Sequence, residues 1–274
     1  MVEYVIANTT VVPVRENPSE GAEQLTQLLF GEVCEVLDRL PRWTKIRSTL
    51  DGQEGWVDFK MVSLASSLFA SLPHRLDTIV ATPMAAATPM DGGADLLLTL
   101  GTRLPNYSHG TFEVLGQQYL INPTCVSTAQ RSTGEADLQQ SDLKRSDLAT
   151  IAQSLLNAPY LWGGKNLMGI DCSGFTQVVY AAMGVNLLRN AREQMTQGEL
   201  VSSLSESLTG DLAFFDHADR DPKATNISHV GLLLSPTEII HCSGCVHIDS
   251  IDEEGIHLSD GSLTHHLVQI KRYL

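Results

Sequence analysis

The feature that most restricts the fold of this chain is an amphipathic helix whose first turn holds a cysteine. From Phe175 to Met183 the apolar residues follow the spacing of a helix with one buried face, and Gly184 is suited to end it. Asp171, which precedes the cysteine, is a good N-cap residue. Cys172 is therefore predicted to lie in the first turn.

A thiol at that position is placed to act as a nucleophile. The unpaired backbone N–H groups and the positive end of the helix macrodipole favour the thiolate, so we expect the pKa of Cys172 to be lowered. The small residues Ser173 and Gly174 leave room for a substrate backbone. The alternative is that Cys172 is an ordinary buried residue, because free cysteine is among the most buried residue types.

Two histidines farther along the chain favour catalysis. His229 opens the strand-like run HVGLLL, and His241 ends the run EIIH. A cysteine at a helix start, then a histidine on a strand, with a further polar group that orients the ring, is the order of papain-like hydrolases. We therefore predict Cys172 as the nucleophile, His229 as its general base and His241 as the residue that holds the His229 ring.

Five segments in this order resemble the NlpC-type cell-wall cysteine peptidases. They are PYLWGG at 159–164, DCSGF at 171–175, GDLAFF at 210–215, HVG at 229–231 and IH at 240–241. The resemblance covers about residues 145–274. It implies an α+β catalytic domain of papain type, with helices first and antiparallel strands afterwards.

The resemblance also implies an activity. Members of this kind are endopeptidases that hydrolyse the γ-D-glutamyl bond to a diamino acid, diaminopimelate or lysine, in peptidoglycan stem peptides. Short fragments with a free N-terminal L-Ala, as in murein peptide recycling, are the expected substrates. No cofactor is implied.

Further site residues follow from the same resemblance. Tyr160 is expected near the oxyanion, and Ser173 is expected to contact substrate. Asp171, together with Glu32 from the first barrel, is expected to bind the free amino group of the peptide. The alternative is that Asp171 is only a helix cap and Glu32 a solvated strand residue. Ala191 stands where the family usually has a serine, which removes one hydrogen bond to substrate.

The residues before the catalytic domain predict small β domains. Residues 1–64 hold short alternating runs at 10–14, 32–37, 43–47 and 55–57, separated by turn residues, as in a small antiparallel barrel. The motifs LFGE at 29–32 and GWV at 55–57 resemble a bacterial SH3-like domain.

Residues 65–132 fit a second, degenerate SH3-like barrel, with an irregular β insertion as the alternative. Residues 81–93 are predicted to form a loop and residues 111–121 a hairpin that turns at Gly116 and Gln117. The polar stretch at about 127–145 is predicted as a linker. A helix over 148–156 then begins the catalytic domain, assigned to residues 133–274.

Charge and hydropathy disfavour several partners. A net charge of −14 repels nucleic acid and anionic lipid. The N-terminus lacks the basic and apolar regions of a secretory signal, and no apolar run is long enough to span a membrane. We therefore expect no nucleic-acid binding, no membrane insertion and a cytoplasmic location. If a signal was trimmed, the location is periplasmic or exported. The oligomeric state is left open.

The cysteines leave one alternative from another class. The 5 cysteines have no regular spacing, which does not suggest a disulfide framework and fits a reducing compartment. The run HCSGCVH could instead bind metal through His241, Cys242, Cys245 and His247, although no second CxxC pair exists. A second alternative is a non-catalytic protein that binds cell-wall peptides.

Overall fold

The structure is a computed structural model that describes residues 2–65, 78–128, 138–217 and 226–274. The chain divides into two compact units, Met1–Arg131 with Trp162–Leu167 and Ser132–Leu161 with Met168–Leu274. The segment Trp162–Leu167 thus belongs to the first unit, although the sequence prediction assigned it to the catalytic domain. Its residues hydrogen-bond to Gln27, which accepts from the Lys165 backbone N–H and the Asn166 side chain.

The first unit is built from short strands. They are β1 (Tyr4–Ala7), β2 (Val11–Arg15), β3 (Gln24–Leu29), β4 (Val33–Arg39), β5 (Trp43–Ser48), β6 (Glu54–Asp58), β7 (Val62–Ala65), β8 (Thr78–Val80), β9 (Met84–Pro89), β10 (Leu96–Thr99), β11 (Thr111–Val114), β12 (Gln117–Ile121), β13 (Val126–Thr128) and β14 (Lys165–Asn166). Two 3-10 turns, Phe59–Met61 and Pro123–Cys125, lie between them.

Strands β1 to β7 form one antiparallel sheet in the order β3-β2-β6-β5-β4-β1-β7. Alternating side chains of these strands, such as Val12, Val14 and Ile46, are fully buried and form its hydrophobic core. The four strands predicted over residues 1–64 are confirmed as β2, β4, β5 and β6. The prediction missed β1, β3 and β7.

Strands β9 to β12 form a sheet in the order β10-β9-β12-β11, and β13 pairs with β8. The predicted hairpin is confirmed, but its turn lies one residue earlier, at Leu115 and Gly116, which both have positive φ. The predicted loop at 81–93 is wrong in part, because residues 84–89 form β9, whose Ala85 and Ala87 pack into the same core as Phe30. The second barrel stays a prediction, and residues 66–77 of it lie outside the described residues.

The second unit holds three helices and a large sheet. Its elements are α1 (Leu138–Gln153), β15 (Gly169–Ile170), α2 (Cys172–Ala182), α3 (Ala191–Gln194), β16 (Glu199–Val201), a 3-10 turn (Leu204–Glu206), β17 (Leu212–His217), β18 (His229–Ser235), β19 (Glu238–Ser243), β20 (Cys245–Ile251), β21 (Gly255–His257) and β22 (Leu263–Arg272). The antiparallel sheet runs β16-β22-β17-β18-β19-β20-β21, and β21 also pairs with β22, which closes it. The predicted order of helices first and antiparallel strands afterwards is confirmed.

The predicted linker is wrong in part. Residues 138–145 are the first half of α1, because leucine, glutamine, lysine and arginine favour a helix even where the sequence is polar. Residues 129–137 of the predicted linker lie outside the described residues. In the described parts of the chain, no helix has both the length and the hydropathy needed to cross a membrane.

A buried charged cluster joins distant parts of the second unit. Asp211, fully buried before β17, accepts hydrogen bonds from Arg272 of β22 and from Arg145 of α1. Its Oδ2 also accepts from the Leu208 backbone N–H at 2.9 Å. Asp211 is thus a structural residue.

Candidate active site

The nucleophile sits where the sequence predicted it. Cys172 is the first residue of α2, and the Asp171 carboxylate caps the helix by accepting the Gly174 N–H at 2.6 Å. The Cys172 side chain is buried, and the backbone N–H groups of Val230 and Ser173 donate toward its sulfur. Val230 follows His229 in β18, so the start of α2 and the start of β18 meet at the sulfur.

The prediction of a lowered thiol pKa is wrong for the resting protein. The pKa of Cys172 is raised to about 12, first by burial and second by the charge of Asp171. The Val230 N–H, Arg189 and the Ser173 N–H lower the pKa, but lost hydration outweighs them. The resting site therefore holds a thiol, and the reaction needs a base that removes its proton.

That base belongs to a chain of three hydrogen-bonded side chains. His229 Nε2 lies 2.8 Å from His241 Nδ1, and His241 Nε2 lies 3.1 Å from Asp249 Oδ2. The Asp249 carboxylate can only accept, so His241 carries a proton on Nε2. Burial lowers the pKa of His241, which leaves the ring neutral with a lone pair on Nδ1.

The tautomer of His229 follows from this. Since His241 Nδ1 accepts, His229 Nε2 carries the proton and donates it. The Nδ1 atom of His229 is then the ring nitrogen that can take a proton from Cys172. The hydrogen bond between His229 and His241 agrees with the predicted pairing of the two rings, Asp249 extends the chain, and the catalytic roles of both histidines stay predictions.

The sheet register fixes the geometry of this chain. His241 pairs with Gly231 of β18 on one side and with His247 of β20 on the other. His229 and Asp249 lie two residues along their strands from these partners, so all the side chains share one face. The His265 ring stacks on His229 with centroids 4.4 Å apart, which restrains the base.

A second buried network supports the helix start. The Arg189 guanidinium binds both Asp171 oxygens, at 3.0 Å and 2.6 Å, and donates to Ser173 Oγ at 2.9 Å. The Arg189 side chain is only 1% exposed. Asp171 is a helix cap and an ion-pair partner; substrate binding by Asp171 and Ser173 stays a prediction.

Tyr160 lies near the nucleophile. Its backbone N–H donates to the Gly244 carbonyl at 2.8 Å, and its side chain is 36% exposed. Burial raises the pKa of the Tyr160 hydroxyl, and the charge of Cys172 is the second cause, which places the two groups within electrostatic reach. Its role at the oxyanion stays a prediction.

Glu32 is described within the first unit. It is buried and pairs with Lys165 Nζ at 3.1 Å, so the alternative of a solvated strand residue is wrong. Burial raises the pKa of Glu32, and the Lys165 charge acts in the opposite direction. Its role toward a peptide amine stays a prediction.

The metal alternative predicted from HCSGCVH does not have the expected ligands. Cys242 alternates with His241 along β19 and points to the other face, where its thiol donates to the Ile170 carbonyl at 3.2 Å. Within the described residues, the group that could hold a metal is His241, His247 and Asp249.

Sequence reasoning missed several site residues. Asp249 is one of them, although its His-x-Asp spacing from His247 along β20 was a usable signal. Arg189 gave no such signal, because an arginine in a polar run usually lies at the surface. His265 lies far from the other histidines in sequence and reaches His229 only through the pairing of β17 with β22.

Comparisons with known proteins give a family. The NlpC/P60 family model matches residues 157–261, and the bacterial SH3 domain model matches residues 10–63. A protein of Lysinibacillus sphaericus named dipeptidyl-peptidase 6 is 33% identical over 279 residues, 90% of this chain and 93% of that protein.

A named protein and a crystal structure, both from Bacillus cereus, are also similar. One, named gamma-D-glutamyl-L-lysine dipeptidyl-peptidase, is 27% identical over 230 residues; the match covers 79% of this chain and 66% of that protein, just under two thirds. The other is a crystal structure of an NlpC/P60 family protein with a TM-score of 0.80 at 20% identity, covering 99% of each chain. At that identity the structure shows the shared fold.

Proposed function

The chain belongs to the NlpC/P60 family of cysteine peptidases, and on this premise we propose that it hydrolyses the γ-D-glutamyl bond to lysine or diaminopimelate in peptidoglycan stem peptides. The observation that carries the proposal is the hydrogen-bonded chain from His229 through His241 to Asp249, because the backbone N–H of Val230, the residue after His229, donates toward the buried Cys172 sulfur. The name of the Bacillus cereus relative supports the choice of bond.

The reaction begins with proton transfer. Cys172 gives its proton to His229 Nδ1 while the sulfur attacks the γ-carbonyl carbon of D-glutamate. We propose that transfer and attack occur in one step, because burial favours the protonated thiol in the resting site. The Cys172 backbone N–H and Tyr160 are the proposed donors that stabilise the oxyanion.

The second half of the reaction releases the products. The imidazolium of His229 returns the proton to the amine of the leaving diamino acid, and a thioester remains on Cys172. His229 then removes a proton from a water molecule, which attacks the thioester and frees the γ-carboxylate. Asp249 stays ionised and holds the neutral tautomer of His241 throughout.

The proposal includes a preference for short peptides with a free N-terminal L-Ala, as in murein recycling. The relatives named dipeptidyl-peptidase support it, since such enzymes release two residues from a free amino end. An acidic group is needed to recognise the ammonium. Asp171 and Glu32 are the proposed residues, and both are buried acids with a basic partner, Arg189 and Lys165.

The test uses L-Ala-γ-D-Glu-L-Lys and its diaminopimelate analogue, each free and N-acetylated. We expect wild-type protein to release L-Ala-D-Glu from the free peptides and to cleave the acetylated ones at least about tenfold more slowly, a loss typical of one charged contact. Cys172→Ala should be inactive, while Cys125→Ser, a control in the first unit, should retain activity. Equal cleavage of acetylated peptides overturns the amine preference. Cleavage by Cys172→Ala overturns the mechanism.

A further inference from the structure

Strands β19 and β20 bring two imidazoles and one carboxylate together on one face. The Nε2 atoms of His241 and His247 both lie 3.1 Å from the same oxygen, Asp249 Oδ2. The three atoms all lie within 4.8 Å of one another. Asp249 holds the tautomer of His241, but His247 has no role in the proton transfer to His229 Nδ1.

The protons of the cluster leave a place for a cation. His247 Nδ1 lies 2.8 Å from the Cys245 carbonyl oxygen, which can only accept, so Nδ1 carries the proton. The other ring nitrogen, Nε2, faces the Asp249 carboxylate at 3.1 Å, so either a proton or a metal ion lies between the two atoms.

We propose that His241 Nε2, His247 Nε2 and an Asp249 oxygen form a binding site for a zinc ion. Zinc bonds of about 2.0–2.1 Å in a tetrahedron place neighbouring ligand atoms about 3.3 Å apart, close to the distances here. Two imidazoles and one carboxylate suit zinc better than magnesium or calcium.

The surroundings also fit a metal. A metal-ligating histidine usually donates its other ring N–H to a carbonyl or carboxylate, as His247 does to Cys245. The His247 side chain is 31% exposed, which gives the ion a way in and leaves a fourth position for water.

Bound zinc would switch off the peptidase, a consequence that rests on the proposed function. When zinc takes His241 Nε2, the proton of that ring moves to Nδ1 and donates to His229 Nε2. The proton of His229 then moves from Nε2 to Nδ1. With Nδ1 occupied, His229 cannot accept the Cys172 proton, and no proton is gained or lost by the pair of rings.

The binding test excludes the nucleophile, since a Cys–His pair can itself bind zinc. Zinc chloride is titrated into the Cys172→Ala protein by calorimetry, with and without His247→Gln. We expect one zinc per chain, and at least about a tenfold loss of affinity with His247→Gln, the size of effect that a lost ligand contact gives. His266→Gln, an exposed histidine on β22, is the matched control and should change nothing.

The activity test uses the otherwise unmodified chain. Zinc should inhibit peptide cleavage, and EDTA should restore it. His247→Gln should weaken the inhibition by the same factor by which it weakens zinc binding. Each variant is compared with its own metal-free rate. Absence of zinc binding to Cys172→Ala overturns the proposed site. Zinc binding without inhibition overturns the switch and keeps the site. If the metal-free chain does not cleave the peptides, the proposed function is wrong. The calorimetric test of zinc binding does not depend on that result.

Discussion

Asp249 determines which nitrogen of His241 carries a proton, although it touches neither the nucleophile nor the base. An asparagine at this position presents an N–H that can donate to His241 Nε2, which favours the opposite tautomer in both rings. We expect Asp249→Asn to lower kcat by about 100-fold or more with KM nearly unchanged, since loss of the correct tautomer is a transition-state defect.

Two variants make this test specific. Asp249→Glu keeps a carboxylate acceptor and should have a higher kcat than Asp249→Asn. If Asp249 had a purely structural role, the charge of the substituted residue would not determine which of the two variants is more active. Asp252→Asn, an exposed acid in the next turn, is the control. If Asp249→Asn keeps kcat within about twofold of wild type, the positioning role is wrong.

The raised pKa of Cys172 predicts a pH dependence. Since the thiol pKa is about 12 in the resting protein, only a small fraction is thiolate at neutral pH. The rate of alkylation by iodoacetamide should therefore rise about tenfold per pH unit up to pH ~10, because each unit below a pKa changes the ionised fraction tenfold. Peptide mapping follows the label, and Cys172→Ser sets the background. A plateau near neutral pH would mean a preformed thiolate.

Arg189 is the buried partner of the acid that caps α2. Its removal leaves the Asp171 charge without compensation in a buried site, which typically costs about 3–5 kcal/mol. We expect Arg189→Ala to lower the free energy of unfolding in urea by that amount. Arg192→Ala on α3 is exposed and should change it by less than about 0.5 kcal/mol. Similar stability of both variants would show that the ion pair is not structural.

Among the elements, β18 and β19 place the two catalytic histidines. Gly231 of β18 is needed because a Cβ there would lie 2.9 Å from His241 Cβ and 2.6 Å from Ile239 Cδ1. We expect Gly231→Ala to lower stability by about 1–3 kcal/mol, as overpacking does, and to reduce kcat because His241 is displaced from His229. Thermal unfolding and peptide assays measure the two effects.

A matched glycine separates crowding from chain entropy. An added Cβ at Gly21 meets nothing within 4 Å, so Gly21→Ala should leave both stability and kcat unchanged. Full activity of Gly231→Ala would contradict the account of how the two strands position His241.

Elements with a strong periodic pattern could be predicted from sequence. Elements that form only because of their tertiary packing could not. The amphipathic pattern gave α2, and short apolar runs gave β18 and β19. β9 was missed because an Ala-Thr-Pro stretch has little strand propensity and becomes a strand only through pairing with β10 and β12. The first half of α1 was missed because its polarity suggested a linker.

At the scale of the whole molecule, the candidate catalytic residues were easier to predict from sequence than the residues that hold them in place. Cys172, His229 and His241 could be identified because the residue types and their order restrict the reaction. The partners Asp249, Arg189 and Lys165 depend on register and burial that no local pattern shows. The same holds for Asp211, which binds two arginines far away in the sequence. Arg145 lies 66 positions before it and Arg272 lies 61 positions after it.

The most direct test of the account asks which bond is cut and where water adds. L-Ala-γ-D-Glu-L-Lys is incubated with the full chain in water enriched in oxygen-18, and the products are sequenced by tandem mass spectrometry. We predict a single label in the γ-carboxyl group of released L-Ala-D-Glu, and no labelled product with Cys172→Ala. Label in the alanine carboxyl group, or an unchanged yield with Cys172→Ala, would contradict it.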